Sequence, residues 1–206
     1  AQVAVAVRMQ DPSGKKYLDF HQKLLNGRGQ ADKARAMAAA ETLFPGSTKV
    51  PRRYELNFME CHAGMPLTVG PVTVTAWEVS HPSGAPSHAL RFETGGKVLA
   101  FSGDTEWVEA LVPVSADADL FIAECYAFDG PVRYHTSWEI LQRHLPRITA
   151  RRILLTHMNE GMLARRHEIS RPDILLAEDG LIVAVGPDGT IYVAYWGGDG
   201  VRVARS

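Results

Sequence analysis

The sequence predicts a mixed α/β fold, and three observations carry that prediction. Val72-Thr-Val-Thr-Ala-Trp-Glu-Val79 alternates and is rich in β-branched residues, the mark of a strand with one buried face. Leu120-Phe-Ile-Ala123 and Ile153-Leu-Leu-Thr156 are short apolar runs of the kind buried on both faces of a sheet. Ala36, Met37, Ala40, Leu43 and Phe44 fall on one face at helical spacing, and Pro45-Gly46 stops that helix.

The elements follow in chain order. Residues 1–30 are polar, hold Pro12, Gly14, Gly27 and Gly29, and show no sustained period, so they form an atypical N-terminal segment. After the helix over 36–44, Lys49 to Met65 is mixed, with Tyr54-Glu-Leu-Asn-Phe58 alternating like a strand. Ala89–Glu93, Gly95-Gly96 and Lys97–Phe101 read as a hairpin. Strands are expected near 72–79, 88–93, 97–102, 119–123 and 152–156. Thr136-Ser-Trp-Glu139 fits a capping box with Thr136 as cap, and Trp138, Leu141 and Leu145 then share one helix face before Pro146. Leu181–Val185, Thr190–Trp196 and Val201–Val203, separated by Pro187-Asp-Gly189 and Gly197-Gly-Asp-Gly200, read as a three-strand meander.

Composition bounds the function. The 206 residues are 46% hydrophobic and 22% charged, as in a globular chain, which excludes disordered and collagen-like classes. One domain over 1–206 is expected. Its net charge of −1 offers no basic field for nucleic acid. No apolar run approaches the ~20 residues that cross a bilayer, and Ala1–Val7 is too short and lacks the basic leader of a signal peptide. Cys61 and Cys125 make no disulfide framework, so a cytoplasmic location is the default.

Several strands end in residues that can bind a metal. Strand 72–79 runs into Ser80-His81, strand 97–101 into Ser102-Gly-Asp104-Thr105, strand 120–123 into Glu124-Cys125, and strand 153–156 into His157; His135 lies between the last two. Sites are often built at such ends, where a rigid sheet holds ligands on short loops. Each residue also has a plainer reading: His81 as a loop histidine, Asp104 or Thr105 as a helix cap, His157 as a hydrogen-bonded core histidine, Glu124 as the partner of an arginine. His62, His88, His144 and His167 lack such context and read as structural or surface residues. Asp19-Phe-His21 has metal-like spacing in an unpatterned segment.

In order, EVSHPSGAPSHALRF, KVLAFSGDTEW, ADLFIAECY, YHTSWEIL and RILLTHM resemble the second half of the metallo-β-lactamase superfamily, in the branch that looks like the tRNA 3′-processing endonucleases. The resemblance covers roughly 70–185 and extends back to the helix ending Leu43-Phe-Pro-Gly-Ser47, so that 31–185 is the metallo-β-lactamase-like region and 186–206 a β-rich tail. It implies an αββα sandwich with a dinuclear zinc site, manganese or iron being alternatives. It implies His81, Asp104 and His157 as metal ligands, with Asp104 bridging both ions. Glu124 and His135 correspond to an acid and histidine that deliver a proton to the leaving group. A carboxylate beside a histidine favours its protonated form, as that role requires.

The family signature His-x-His-x-Asp-His is absent from this sequence, and the simplest reading is a truncated chain that begins after it. The three remaining ligands then leave two per metal, below the usual three at a catalytic zinc, and activity of this chain alone is doubtful. Exposed sheet edges would favour a homodimer. The expected function is a metal-dependent hydrolase acting on phosphodiesters, with a small-molecule, nucleotide or RNA substrate and no membrane partner. The alternatives are a non-catalytic remnant acting in binding or assembly, and a lactone or thioester hydrolase.

Overall fold

Seven strands form one sheet whose spatial order repeats the chain order, β1 to β7, in a computed structural model of the chain. It describes residues 13, 15–25, 33–46, 59–83, 85–178, 181–185, 191–197 and 200–205. The chain divides into two units, Ala1–Phe58 and Met59–Ser206.

In the first unit, α1 (Lys15–Leu25) and α2 (Lys33–Leu43) pack together. Tyr17, Phe20 and Leu24 are spaced three and four apart, and the fully buried Phe20 meets Ala36, Ala40 and Leu43. Arg35 donates to the Leu24 carbonyl at 3.0 Å, satisfying an end of α1. The expected helix over 36–44 is thus found at 33–43, and α1 is a helix in a segment where the sequence shows no period. The strand expected at Tyr54–Phe58 lies outside the described residues.

In the second unit, β1 (Leu67–Val69), β2 (Val72–Val79), β3 (Ser87–Thr94) and β4 (Lys97–Phe101) pair antiparallel. The β3–β4 turn places Gly95 and Gly96 at φ +56° and +71°, the paired positive values of a tight hairpin. From β4 onward, β5 (Leu120–Glu124), β6 (Ile153–Thr156) and β7 (Ile174–Leu176) pair parallel. The five expected strands are all present, with ends displaced by at most a residue. β1 and β7, three residues each, show too little pattern to be read from sequence.

Alternation along β5 divides the core. Phe121 and Ala123 join Ala100, Ile153 and Leu155 beneath α3 (Leu111–Ser115), α4 (Trp138–His144) and α5 (Glu160–Arg165), which contribute Leu111, Val114, Trp138, Leu141 and Met162. Leu120 and Leu154 face the other way, among Leu99, Ile122, Leu175, Leu181 and Val183. Val183 belongs to β8 (Ile182–Val185), which with β9 (Ile191–Gly197) and β10 (Gly200–Arg205) makes the expected antiparallel meander. Helices, large sheet and small sheet therefore stack in layers. The turn Pro187-Asp-Gly189 lies outside the described residues.

Two expected caps differ. The N-cap of α4 is Ser137, whose hydroxyl accepts from Ile140 N–H at 3.3 Å. Thr136 is buried instead, and its hydroxyl donates to the Thr105 carbonyl at 2.8 Å. Glu139 does not close a capping box on Thr136; it accepts from Gly130 N–H at 2.7 Å. No helix starts at Asp104 or Thr105, and the next one begins at Leu111.

Candidate active site

Strand direction gathers the candidates. β2 and β4 each run antiparallel to β3, and β4, β5 and β6 are parallel. The residues leaving β2, β4, β5 and β6 therefore emerge at one edge of the sheet, and they include His81, Asp104, Glu124 and His157. Gly103 makes the turn before Asp104 at φ +63°, where an added Cβ would stand 3.2 Å from the His88 carbonyl oxygen. His157 sits at φ +59°, a left-handed conformation that costs a histidine about 1 kcal/mol or more. That cost is sustained at the residue that turns the chain off β6 toward Asp104.

All five candidates come together. His157 Nε2 lies 3.8 Å from Asp104 Oδ2 and 4.0 Å from Glu124 Oε1. His135 Nδ1 is hydrogen-bonded to Glu124 Oε1. The His135 ring is 5.2 Å from that of His81 and 5.3 Å from that of His157, centroid to centroid. Tyr126 stacks on His135 at 4.7 Å. Glu124 is only 2% exposed, whereas the side chains of Asp104 and His157 are 45% and 42% exposed.

Burial pushes the Glu124 carboxyl above its ordinary pKa, and the nearby Asp104 adds to the shift; the hydrogen bonds from Thr105 N–H and His135 oppose it. The Thr105 N–H bond to Glu124 Oε2 is 2.5 Å, and the Glu124 N–H donates to Ser102 Oγ at 2.8 Å. Thr105 is the residue the sequence reading missed as part of the site. Fully buried, it also accepts from Ser80 N–H at 3.1 Å, donates to the Glu106 carbonyl at 2.7 Å and receives Thr136. One side chain and its peptide thereby tie the loops of His81, Asp104, Glu124 and His135. Within Ser-Gly-Asp-Thr, only its hydroxyl hinted at this. Cys125 is buried, and burial followed by the Glu124 charge pushes its thiol up to about 12, which removes it as a nucleophile.

The donor set suits a metal ion. One donor atom from each of Glu124, His135 and His157 lies within 4.8 Å of the others. Imidazole nitrogens with carboxylate oxygens match zinc, manganese or iron. Both Glu124 oxygens are already engaged, by His135 and Thr105, while Asp104 and His157 are open to solvent. Asp19-Phe-His21 lies on α1, in the other unit. His144 stacks on Trp107 at 3.9 Å, and burial, then Arg147, lowers its pKa.

Comparison with known proteins bears on the family and the fold. The family model described as "Beta-lactamase superfamily domain" matches residues 29–158. A Bacillus subtilis (strain 168) protein described as "Probable metallo-hydrolase YhfI" is 32% identical over 96 residues, 45% of this chain and 38% of that protein. Among solved structures, one described as a new diphosphatase from the PhnP family superposes with a TM-score of 0.52 at 14% identity, covering 71% of this chain and 54% of the other. Human tRNase Z, short form, gives 0.46 at 21% identity over 58% of this chain and 46% of its own. The matched stretches span little more than a third of the curated relatives' lengths, 38% and 34%. Among the described residues no helix is long and apolar enough to cross a membrane. With more than half its length matched by the family model, the chain belongs to the metallo-β-lactamase superfamily.

Proposed function

We propose that this chain carries part of the site of a metal-dependent hydrolase of phosphodiesters, nucleotide or RNA in type. His81, Asp104 and His157 would hold the metal, zinc in the first place with manganese or iron as alternatives, and Asp104 would be shared if two ions bind. When bound, the metal supplies positive charge that steadies the phosphoryl oxygens through the reaction. His135 holds a proton for the leaving oxygen, and Glu124 orients the ring. Thr105 N–H in turn fixes Glu124. The hydrolase designation of the YhfI relative supports the coarse reading. The observation that carries the finer one is the pairing of Glu124 with His135 beside His157: a buried carboxylate holding one imidazole next to a second, solvent-open imidazole and an aspartate.

The test is metal content together with turnover. Protein purified with added zinc is expected to retain metal after desalting, to lose it on His157→Ala or Asp104→Ala, and to hydrolyse bis-p-nitrophenyl phosphate. No retained metal would overturn the reading. One observation favours a non-catalytic binding or assembly module instead. Three candidate ligands, one of them shared, give each of two ions only two protein ligands, and about three are usual at a catalytic zinc. Retained metal without turnover on any phosphodiester would support that module.

A further inference from the structure

Next to His157, the carboxyl ends of β6 and β7 open onto a cleft of about 540 Å³, a size ordinary for small-molecule sites. The two strands are parallel neighbours, with Leu155 opposite Leu176, so both deliver the residues after their carboxyl ends to the same side. His157 and Met158 line it after β6, Leu163 and Arg166 come from α5 and the turn that follows, and Ala177 and Glu178 follow β7.

The lining has two characters. Leu163 is 43% exposed although its neighbour Met162 is fully buried, so α5 turns a large apolar side chain toward the cleft. Arg166 and Glu178 pair at 3.4 Å with both side chains still partly open. The Ala177 N–H bond to the Leu155 carbonyl, 2.8 Å, fixes the backbone just before Glu178. A guanidinium has five N–H donors and a carboxylate two acceptor oxygens, so the pair keeps both kinds of capacity side by side. A bare phosphate would meet Glu178 as well as Arg166 and gain little from a pair without net charge. A flat heterocycle meets both characters: its face packs on Leu163 and Met158, and its edge meets the donor and the acceptor together. Guanine carries its O6 acceptor beside N1–H and N2–H donors, the complement of Arg166 and Glu178.

We infer that this cleft is a nucleobase subsite, best matched to guanine, for the substrate whose phosphodiester lies at His157 and Asp104. The inference deepens the phosphodiesterase reading and rests on it. The test is equilibrium binding to the full chain before any metal is added, with guanosine 5′-monophosphate and ribose 5-phosphate as probes. Guanosine monophosphate is expected to bind about fivefold or more tightly than ribose 5-phosphate. Arg166→Met and Glu178→Gln should each remove most of that margin, and Leu163→Ala should weaken the nucleotide about two- to fivefold without affecting the sugar phosphate. Circular dichroism checks that the variants fold. Equal binding of the two probes, or a margin that survives both Arg166→Met and Glu178→Gln, would overturn the subsite. Metal retention with phosphodiester turnover but no margin would overturn the subsite alone, whereas a margin without metal retention would overturn the phosphodiesterase reading alone.

Discussion

Asp119 and Glu124 stand five residues apart, just before β5 and at its end, both buried and both carboxylates, yet their surroundings oppose each other. Burial pushes Asp119 up, but Val98 N–H at 2.9 Å, Lys97 at 3.1 Å and Arg151 at 3.3 Å outweigh it, and its pKa lies below the ordinary value. Among the described residues no arginine or lysine lies within ion-pair distance of Glu124; its neighbours are histidines, a peptide N–H and another carboxylate, and its pKa is raised. One end of the strand is saturated with positive charge and braces the fold. The other end leaves a demand for positive charge, which an imidazolium or a metal can meet. A carboxylate's role is thus set less by its burial than by whether its counter-charge is permanent.

The largest expected break in this comparison is at the Glu124 end. In a metal-loaded, active form, His135→Ala should cut kcat by roughly 10²–10⁴-fold with metal content intact. The loss should be smallest on p-nitrophenyl phosphodiesters, whose leaving group needs no proton. Equal loss on activated and unactivated substrates would make His135 structural.

At the other end, Asp119→Ala should lower unfolding free energy by about 2–3 kcal/mol, read by urea denaturation, because Lys97 and Val98 N–H lose their partner. A depressed carboxylate contributes stability above its ordinary pKa of 3.8 and loses it as pH falls through the lower folded value. The stability gap between native protein and variant should therefore shrink in acid.

Thr105→Val keeps the shape and the peptide N–H but deletes the hydroxyl bonds to Ser80 and Glu106. It should cost about 1–3 kcal/mol. Thr105→Ser should restore most of it if hydrogen bonding, not packing, is what Thr105 provides.

The smallest effect sharpens the contrast. Glu124→Gln is expected to leave stability without metal within about 1 kcal/mol of the native protein. A raised carboxylate gives its stabilisation below its ordinary pKa of 4.5 and loses it as pH rises through the folded value. The variant should therefore gain relative to the native protein as pH rises, the reverse of the Asp119 trend. Parallel trends for the two carboxylates would break the comparison.

Legibility in the sequence followed the same division. β2 was readable because eight residues alternate, and β5 and β6 because their apolar runs are buried on both faces. His81, Asp104, Glu124 and His157 could be listed because each comes at the end of a readable strand, whereas His135 follows none and rested on the family resemblance. β1 and β7 were not legible, since three residues hold no period. α1 was hidden because, among its described side chains, Phe20 alone is fully buried, amid charged neighbours. The cap moved from Thr136 to Ser137 because Thr136 is drawn inward to Thr105, a tertiary bond that local spacing does not encode. Asp119 and Thr105 owe their roles to partners nineteen or more residues distant, Lys97, Ser80 and Glu124 among them.

A sheet whose spatial order repeats its chain order has a consequence for synthesis. As a nascent chain emerges from its amino end, each strand can dock on an edge already built, and among the described strands of this sheet none must thread between two others. Long-range closure is kept small at every step. Four of the docking strands, β2, β4, β5 and β6, also deliver a site residue at their carboxyl ends. His81, Asp104 and Glu124 are delivered in turn, and the cluster closes only when Ile153–Thr156 has paired with β5 and brought His157 with it. Assembly of the cluster is thereby timed to follow the main body of the sheet, so that a half-made chain presents a template for the next strand before it presents a metal trap.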